Sequence, residues 1–162
     1  MKLPSKKIIN LIGAISCLGL ILFALYSEHI LLLEPCPLCV LQRIAVIALG
    51  SIFLIAFIHN PNKITSRIYV FLCILISSFG TATAAWHVHL QNLPADEIPS
   101  CGPGLGYMIE NFPLKDIFGM ILQGSGECAE ESWNFIGLTM PAWVIVSMIF
   151  LGSIAAWNNL RS

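Results

Sequence analysis

Cys36-Pro37-Leu38-Cys39 is a C-x-x-C motif, and that spacing serves two chemistries, metal ligation and dithiol–disulfide exchange. The neighbouring residues favour exchange. Pro37 suits the first turn of a helix, which places Cys36 and Cys39 at a helix amino terminus, where the dipole stabilises a thiolate. Arg43 follows Cys39 by four residues, on the same helical face, so a fixed positive charge stands one turn from that sulfur. A structural zinc site would need two more ligands. His29 and Glu34 are near in sequence, and Cys101 with Cys128 could complete a four-sulfur set, but that second pair lacks a compact ligand spacing. Haem attachment through C-x-x-C-H is excluded, because Val40 follows Cys39. No resident metal is expected.

The elements that must position these sulfurs follow from composition. Of 162 residues, 57% are hydrophobic and 10% charged, with a mean hydropathy of +0.82. Soluble domains carry about 25% charge, so a free soluble enzyme and a disordered chain are both excluded. The net charge of −1 leaves no basic footprint for nucleic acid. A membrane crossing needs about 20 apolar residues. Four stretches fit, at about 8–27, 40–58, 68–86 and 141–157. The first is longer than a signal-peptide core, and Tyr26-Ser27-Glu28 replaces a cleavage site, so it reads as a retained helix. The expectation is a single all-α membrane domain over 1–162, a four-transmembrane-helix bundle with outer loops at about 28–39 and 87–140.

Orientation follows from the basic residues. Lys2, Lys6 and Lys7 precede the first span, Lys63 and Arg67 separate the second from the third, and Arg161 follows the fourth. All nine acids fall in the other two loops. Both termini are therefore expected in the cytoplasm, with Cys36, Cys39, Cys101 and Cys128 on the outer side, where disulfides persist. Cys17 and Cys73 fall within spans and read as small apolar residues. Pro94, Pro99, Gly102, Pro103, Gly104 and Gly106 break regular structure around Cys101. Leu114–Leu122 then shows apolar residues at helical spacing, too short to span, as expected of an interfacial helix. A Cys101–Cys128 bridge would contribute about 3–4 kcal/mol if unstrained. It could pin the loop, or it could be a bridge that a partner thiolate attacks. His87 ends the third span and His89 follows it. An interfacial polar role is open for His87, and so is ligand binding beside Arg43.

The run Glu34-Pro35-Cys36-Pro37-Leu38-Cys39-Val40-Leu41-Gln42-Arg43 resembles the active-site signature of the DsbB family of bacterial inner-membrane proteins. The similarity continues through Pro99-Ser100-Cys101-Gly102-Pro103 and Gly124-Ser125-Gly126-Glu127-Cys128-Ala129, and ends in Trp133-Asn134-Phe135-Ile136-Gly137-Leu138-Thr139-Met140-Pro141-Ala142-Trp143. It spans nearly the whole chain in order. The resemblance implies a thiol oxidase that reoxidises a DsbA-like periplasmic protein of thioredoxin fold and delivers the electrons to a membrane quinone, ubiquinone or menaquinone. It further implies that Cys101 captures the partner and is bridged to Cys128. Cys36 and Cys39 would form the pair beside the quinone, Cys39 facing its ring, with Arg43 stabilising that thiolate and His87 at the quinone site. Two other classes stay open on the residues themselves: a disulfide-stapled membrane scaffold and a metal-handling membrane protein. Arg43 in register with Cys39 argues against the first, and the lack of further ligands near Cys39 against the second.

Overall fold

The computed structural model describes residues 5–33, 35–94, 97, 107, 110–124, 126–129 and 133–161. Cys101 and Glu34, both singled out above, lie outside the described residues. Four long helices dominate: α1 (Lys6–His29), α2 (Pro37–His59), α3 (Lys63–Gln91) and, after the second long connection, α6 (Met140–Leu160). Each is long and apolar enough to cross a membrane. The protein is thus an all-α, multi-pass membrane bundle, because lipid offers no partner for an open backbone and a helix satisfies its own.

Each helix runs past its apolar stretch, because polar residues are excluded from hydrocarbon but not from helices. α3 extends from Lys63 to Gln91, so His87 and His89 are helical rather than loop residues. The ends are set locally. The Ser5 hydroxyl caps α1 by accepting from the Ile8 amide at 3.3 Å. Pro37 opens α2, and Asn60 closes it in the left-handed region at φ 44°, just before Pro61. Within the second connection, α4 (Leu114–Gln123) is the short helix that the apolar spacing predicts, followed by α5 (Gly126–Ala129). Two short strands, β1 (Asn134–Phe135) and β2 (Leu138–Thr139), then pair antiparallel. Ile136 and Gly137 both take positive φ at the tip, 55° and 77°, as a two-residue hairpin turn requires. The sequence does not mark this hairpin, since Ile is an unfavourable residue there.

One core cluster fills the bundle: Cys17, Ala45, Val46, Leu49, Phe53, Cys73, Met148, Leu151 and Ala155. Cys17 and Cys73 are 2% and 1% exposed and act as packing residues. Large side chains such as Ile15, Leu22, Ile47, Phe71 and Phe150 point outward instead, the inverse of a soluble protein. Lipid tails are as apolar as leucine, so helices associate through close packing and polar contacts. Glycines supply the first: a Cβ on Gly13 would stand 2.7 Å from the Phe53 ring, and one on Gly50 2.8 Å from the Cys17 Cβ. Buried polar groups supply the second, at the end of the bundle opposite the C-x-x-C motif. There the Asn158 amide donates to Asn10 Oδ1 and to the Lys6 carbonyl, both at 3.0 Å. The Ser66 hydroxyl donates to the Asn159 carbonyl at 2.7 Å. These bonds tie α1, α3 and α6 together.

The α3–α6 seam depends on Gly152, whose added Cβ would collide with the Ser77 hydroxyl and lie 2.9 Å from the Ser77 Cβ. Gly152→Val is expected to destabilise the bundle by about 1–3 kcal/mol. Gly19→Val, with nothing within 4 Å of the new Cβ, should leave stability unchanged. Detergent-titrated unfolding followed by circular dichroism compares the two.

Candidate functional site

Cys36 is the N-cap of α2. Its extended backbone (φ −66°, ψ 162°) precedes Pro37, and its sulfur accepts from the Cys39 amide at 3.4 Å. This cap holds the two cysteines of the motif together, with their sulfurs 3.2 Å apart. The helix puts them in different surroundings. Cys36 is buried against Leu38, Leu90 and Cys128, a small apolar cluster flanked by Leu93 and Ile121. Cys39 is only half-buried and opens onto the opposite side.

His87 closes the Cys36 side. Its Nε2 lies 3.8 Å from the Cys36 sulfur and 3.1 Å from the Cys128 carbonyl oxygen. Its Nδ1 lies 3.1 Å from the Gln42 side-chain nitrogen and 4.0 Å from the Cys39 sulfur. The pattern is self-consistent for a neutral ring: Gln42 donates to Nδ1, and Nε2–H donates to the carbonyl. His87 is 3% and Gln42 4% exposed, so each of these buried side chains has a partner. α5 brings Cys128 into the same place, and the ligand atoms of Cys36, His87 and Cys128 lie within 4.8 Å of one another. Cys128, expected in the second outer loop, is 0% exposed, because α5 packs onto α3 beside Leu90.

On the Cys39 side lies a cavity of about 440 Å³ between α1, α2 and α6. Cys39, Gln42 and Arg43 line one wall, and apolar residues line most of the rest, among them Leu20, Val46 and Val144. Four aromatic rings form its rim. Phe23 meets Trp133 edge-on at 5.6 Å, Trp133 stacks on Phe135 at 5.7 Å, and Phe135 lies 6.2 Å from Trp143. The Trp143 indole N–H donates to the Phe135 carbonyl at 3.2 Å, which locks the hairpin against α6. Among the described residues, Arg43 is the one charged group lining the cavity. It pairs with Glu28 and donates to the Ala24 carbonyl at 3.2 Å, so its guanidinium is anchored to α1.

The structure therefore brings together Cys36, Cys39, Cys128 and His87, and sets Arg43 beside Cys39 on the cavity. His87 does not line the cavity: the motif stands between it and Arg43's side. Cys101 lies outside the described residues, and so does its place relative to Cys128. Sequence reasoning missed Gln42, Glu28 and the aromatic rim. Gln42 had a signal, lying three residues after Cys39 and thus on one face with it. Glu28 and the rim are tertiary contacts with no such mark.

Comparison with known proteins gives one answer. Residues 6–158 match the family described as "Disulfide bond formation protein DsbB". Among curated relatives named "Disulfide bond formation protein B", that of Nitrosococcus oceani is 44% identical over 151 residues, covering 93% of this chain and 89% of the relative. That of Saccharophagus degradans is 46% identical over 160 residues, covering 99% and 96%. That of Methylococcus capsulatus is 44% identical over 164 residues, covering 99% and 100%.

The unequal exposure of the sulfurs is testable. In the reduced, folded protein a maleimide should label Cys39 at least about tenfold faster than Cys17 or Cys73, since access limits thiol reactivity. Peptide mass mapping of a time course reads the rates, and equal rates would contradict the burial described.

Proposed function

The chain belongs to the DsbB family, and from that premise we propose that it oxidises a DsbA-like periplasmic thiol protein and delivers the electrons to a membrane quinone. Its role in disulfide formation and its multi-pass character come with the family and the bundle. The partner, the quinone and the inner-membrane orientation with cytoplasmic termini are the reading offered here. The observation that carries it is the position of the C-x-x-C pair, with another cysteine on one side and an apolar, aromatic-rimmed cavity on the other.

The sulfur steps balance by thiol–disulfide exchange. A partner thiolate attacks the Cys101–Cys128 bridge at Cys101, and Cys128 leaves as a thiolate. The partner's second thiol then releases Cys101, and the partner departs oxidised by two electrons. Cys128 attacks Cys36, which forms a Cys36–Cys128 bond and breaks Cys36–Cys39, expelling Cys39 as a thiolate. Cys101 attacks Cys128, restores the outer bridge and frees Cys36. Two protons accompany the two electrons. The closeness of Cys36 and Cys128 supports the third transfer. The His87 Nε2–H, 3.8 Å from the Cys36 sulfur, is placed to donate toward that sulfur when it is released as a thiolate. The carbonyl of Cys128 and the amide of Gln42 orient the ring.

The cavity fits a quinone headgroup in three respects. It is mostly apolar, its rim offers flat rings, and a single guanidinium stands where a carbonyl oxygen can accept from it. A bound quinone supplies the two-electron acceptor that the sulfurs alone lack. Arg43 holds its charge beside Cys39, the cysteine that faces the cavity. Glu28 and the Ala24 carbonyl fix the guanidinium's direction, so less ordering remains when a ligand arrives. The aromatic rim and apolar walls exclude water from the exposed thiolate.

Mixed anaerobically with reduced DsbA-type protein, the purified chain should consume thiols beyond the amount its own two disulfides can oxidise only when quinone is added. Repeated turnover without quinone, or no added thiol loss with it, in stopped flow would sink this reading. Arg43→Ala removes a charge-assisted hydrogen bond worth about 1.5–3 kcal/mol. It should therefore raise the quinone concentration needed for half-maximal rate by about tenfold or more. Cys101→Ser should abolish the mixed disulfide with a single-cysteine partner on a non-reducing gel while still allowing the Cys36–Cys39 bridge to form.

A further inference from the structure

We propose that the reduced chain captures one soft divalent cation of the zinc class on Cys36 Sγ, Cys128 Sγ and His87 Nε2, and that a cation seated there withholds both sulfurs from exchange. The three ligand atoms lie within 4.8 Å of one another and all three residues are buried. In a zinc tetrahedron, adjacent sulfur and nitrogen ligands stand about 3.5–3.8 Å apart. The Cys36 sulfur and His87 Nε2 are already at 3.8 Å. Cys128 completes the set by a small shift of the short helix α5.

The donor set matches the cation's chemistry. Thiolate and imidazole suit zinc over magnesium or calcium. Two thiolates offset the two positive charges, so the filled site is neutral, as a buried position requires. Binding releases two thiol protons and moves no electrons. The ring is also supported from behind. A metal on Nε2 puts the ring proton on Nδ1, which is 3.1 Å from the Gln42 amide and donates to its oxygen once that amide turns over. Metal-bound histidines keep such a partner. The hydrogen bond from His87 to the Cys128 carbonyl is given up in exchange.

Cys39 is not a ligand in this arrangement. Its sulfur is 3.2 Å from that of Cys36, closer than the roughly 3.8 Å edge between two zinc-bound sulfurs. It also faces Nδ1, not Nε2, at 4.0 Å. The site therefore differs from simple chelation by the C-x-x-C pair, and the three side chains leave the fourth position to a ligand from outside the set, such as a water molecule. It requires only that Cys36 and Cys128 both be thiols, and does not depend on the quinone reading.

The test uses full-length, thiol-reduced protein in nanodiscs under anaerobic conditions, titrated with Co²⁺ as the spectroscopic probe and then with Zn²⁺ to displace it. One Co²⁺ per chain is expected, with sulfur-to-cobalt charge transfer and the intense visible bands of four-coordination. Cys39→Ser and Cys101→Ser should retain this signal. Cys36→Ser, Cys128→Ser and His87→Gln should each weaken binding by at least about tenfold, and Gln42→Ala by about tenfold through loss of the ring's support. A second measurement needs no substitution: bound Zn²⁺ should protect Cys36 and Cys128 from alkylation and leave Cys39 reactive. Failure of the wild type to bind, cobalt binding that survives Cys128→Ser, binding lost with Cys39→Ser or Cys101→Ser, or protection of Cys39 would each overturn the proposal. None of these readouts involves quinone or a protein partner, so their failure leaves the thiol oxidase reading intact.

Discussion

A cysteine caps the helix that carries its own C-x-x-C partner, and the site depends on that contact. The first amides of a helix have no intrahelical acceptor, and in lipid such a deficit is costly. Pro37 removes one of those donors, and the Cys36 sulfur accepts from another, the Cys39 amide. Starting α2 and placing two sulfurs at bonding reach are therefore one event. Any displacement of Cys36 would unmake the helix start as well as the dithiol.

From that contact the surroundings divide. On the Cys36 side the buried polar groups hold one another: His87 is fixed by Gln42 through one nitrogen and by the Cys128 carbonyl through the other. On the Cys39 side the walls are apolar, and the Arg43 charge is tethered to α1 by Glu28. The polar contacts and the apolar cavity thus meet at one helical turn, where Gln42 touches both. His87 meets α2 at Cys36 and Gln42, whereas Arg43 turns to Glu28 and the Ala24 carbonyl of α1, so His87 and Arg43 do not converge on a common point.

Much of the fold was legible in the sequence because lipid imposes a simple rule, long uncharged runs. That rule marks the four helices, and the C-x-x-C–Arg43 register marks one wall of the site, since both are local patterns. What could not be read are contacts between distant segments. The Glu28–Arg43 pair joins α1 to α2, and the aromatic rim joins α1, β1 and α6. The burial of Cys128 is of this kind too: its glycine-rich neighbours suggest an open loop, yet α5 docks on α3. His87 reads as a boundary residue because the apolar run stops at Trp86, whereas the helix continues to Gln91. Hydropathy reports where lipid ends, and a helix need not end there.

The two ends of the bundle are built to different tolerances, and the proposed exchange chemistry would use that difference. At the far end, Asn10, Ser66, Asn158 and Asn159 cross-tie three helices, and close glycine contacts lock the seams between them. Moving a helix there would break several bonds at once. Near the motif, among the described residues, α5 packs into a cluster of four buried residues, Cys36, Leu38, Leu90 and Cys128, flanked by Cys39, Leu93 and Ile121. A disulfide demands sulfurs about 2.05 Å apart, whereas the Cys36 and Cys128 sulfurs start within 4.8 Å. On the proposed exchange route, that gap would be closed and reopened at each turnover. Rearranging a short helix over a small apolar cluster costs far less than shifting a spanning helix, because a segment opens more easily the less apolar surface it has packed away. A rigid bundle therefore holds the C-x-x-C pair at a fixed place beside the cavity, and on the proposed route the short helix would bring the Cys128 sulfur to it.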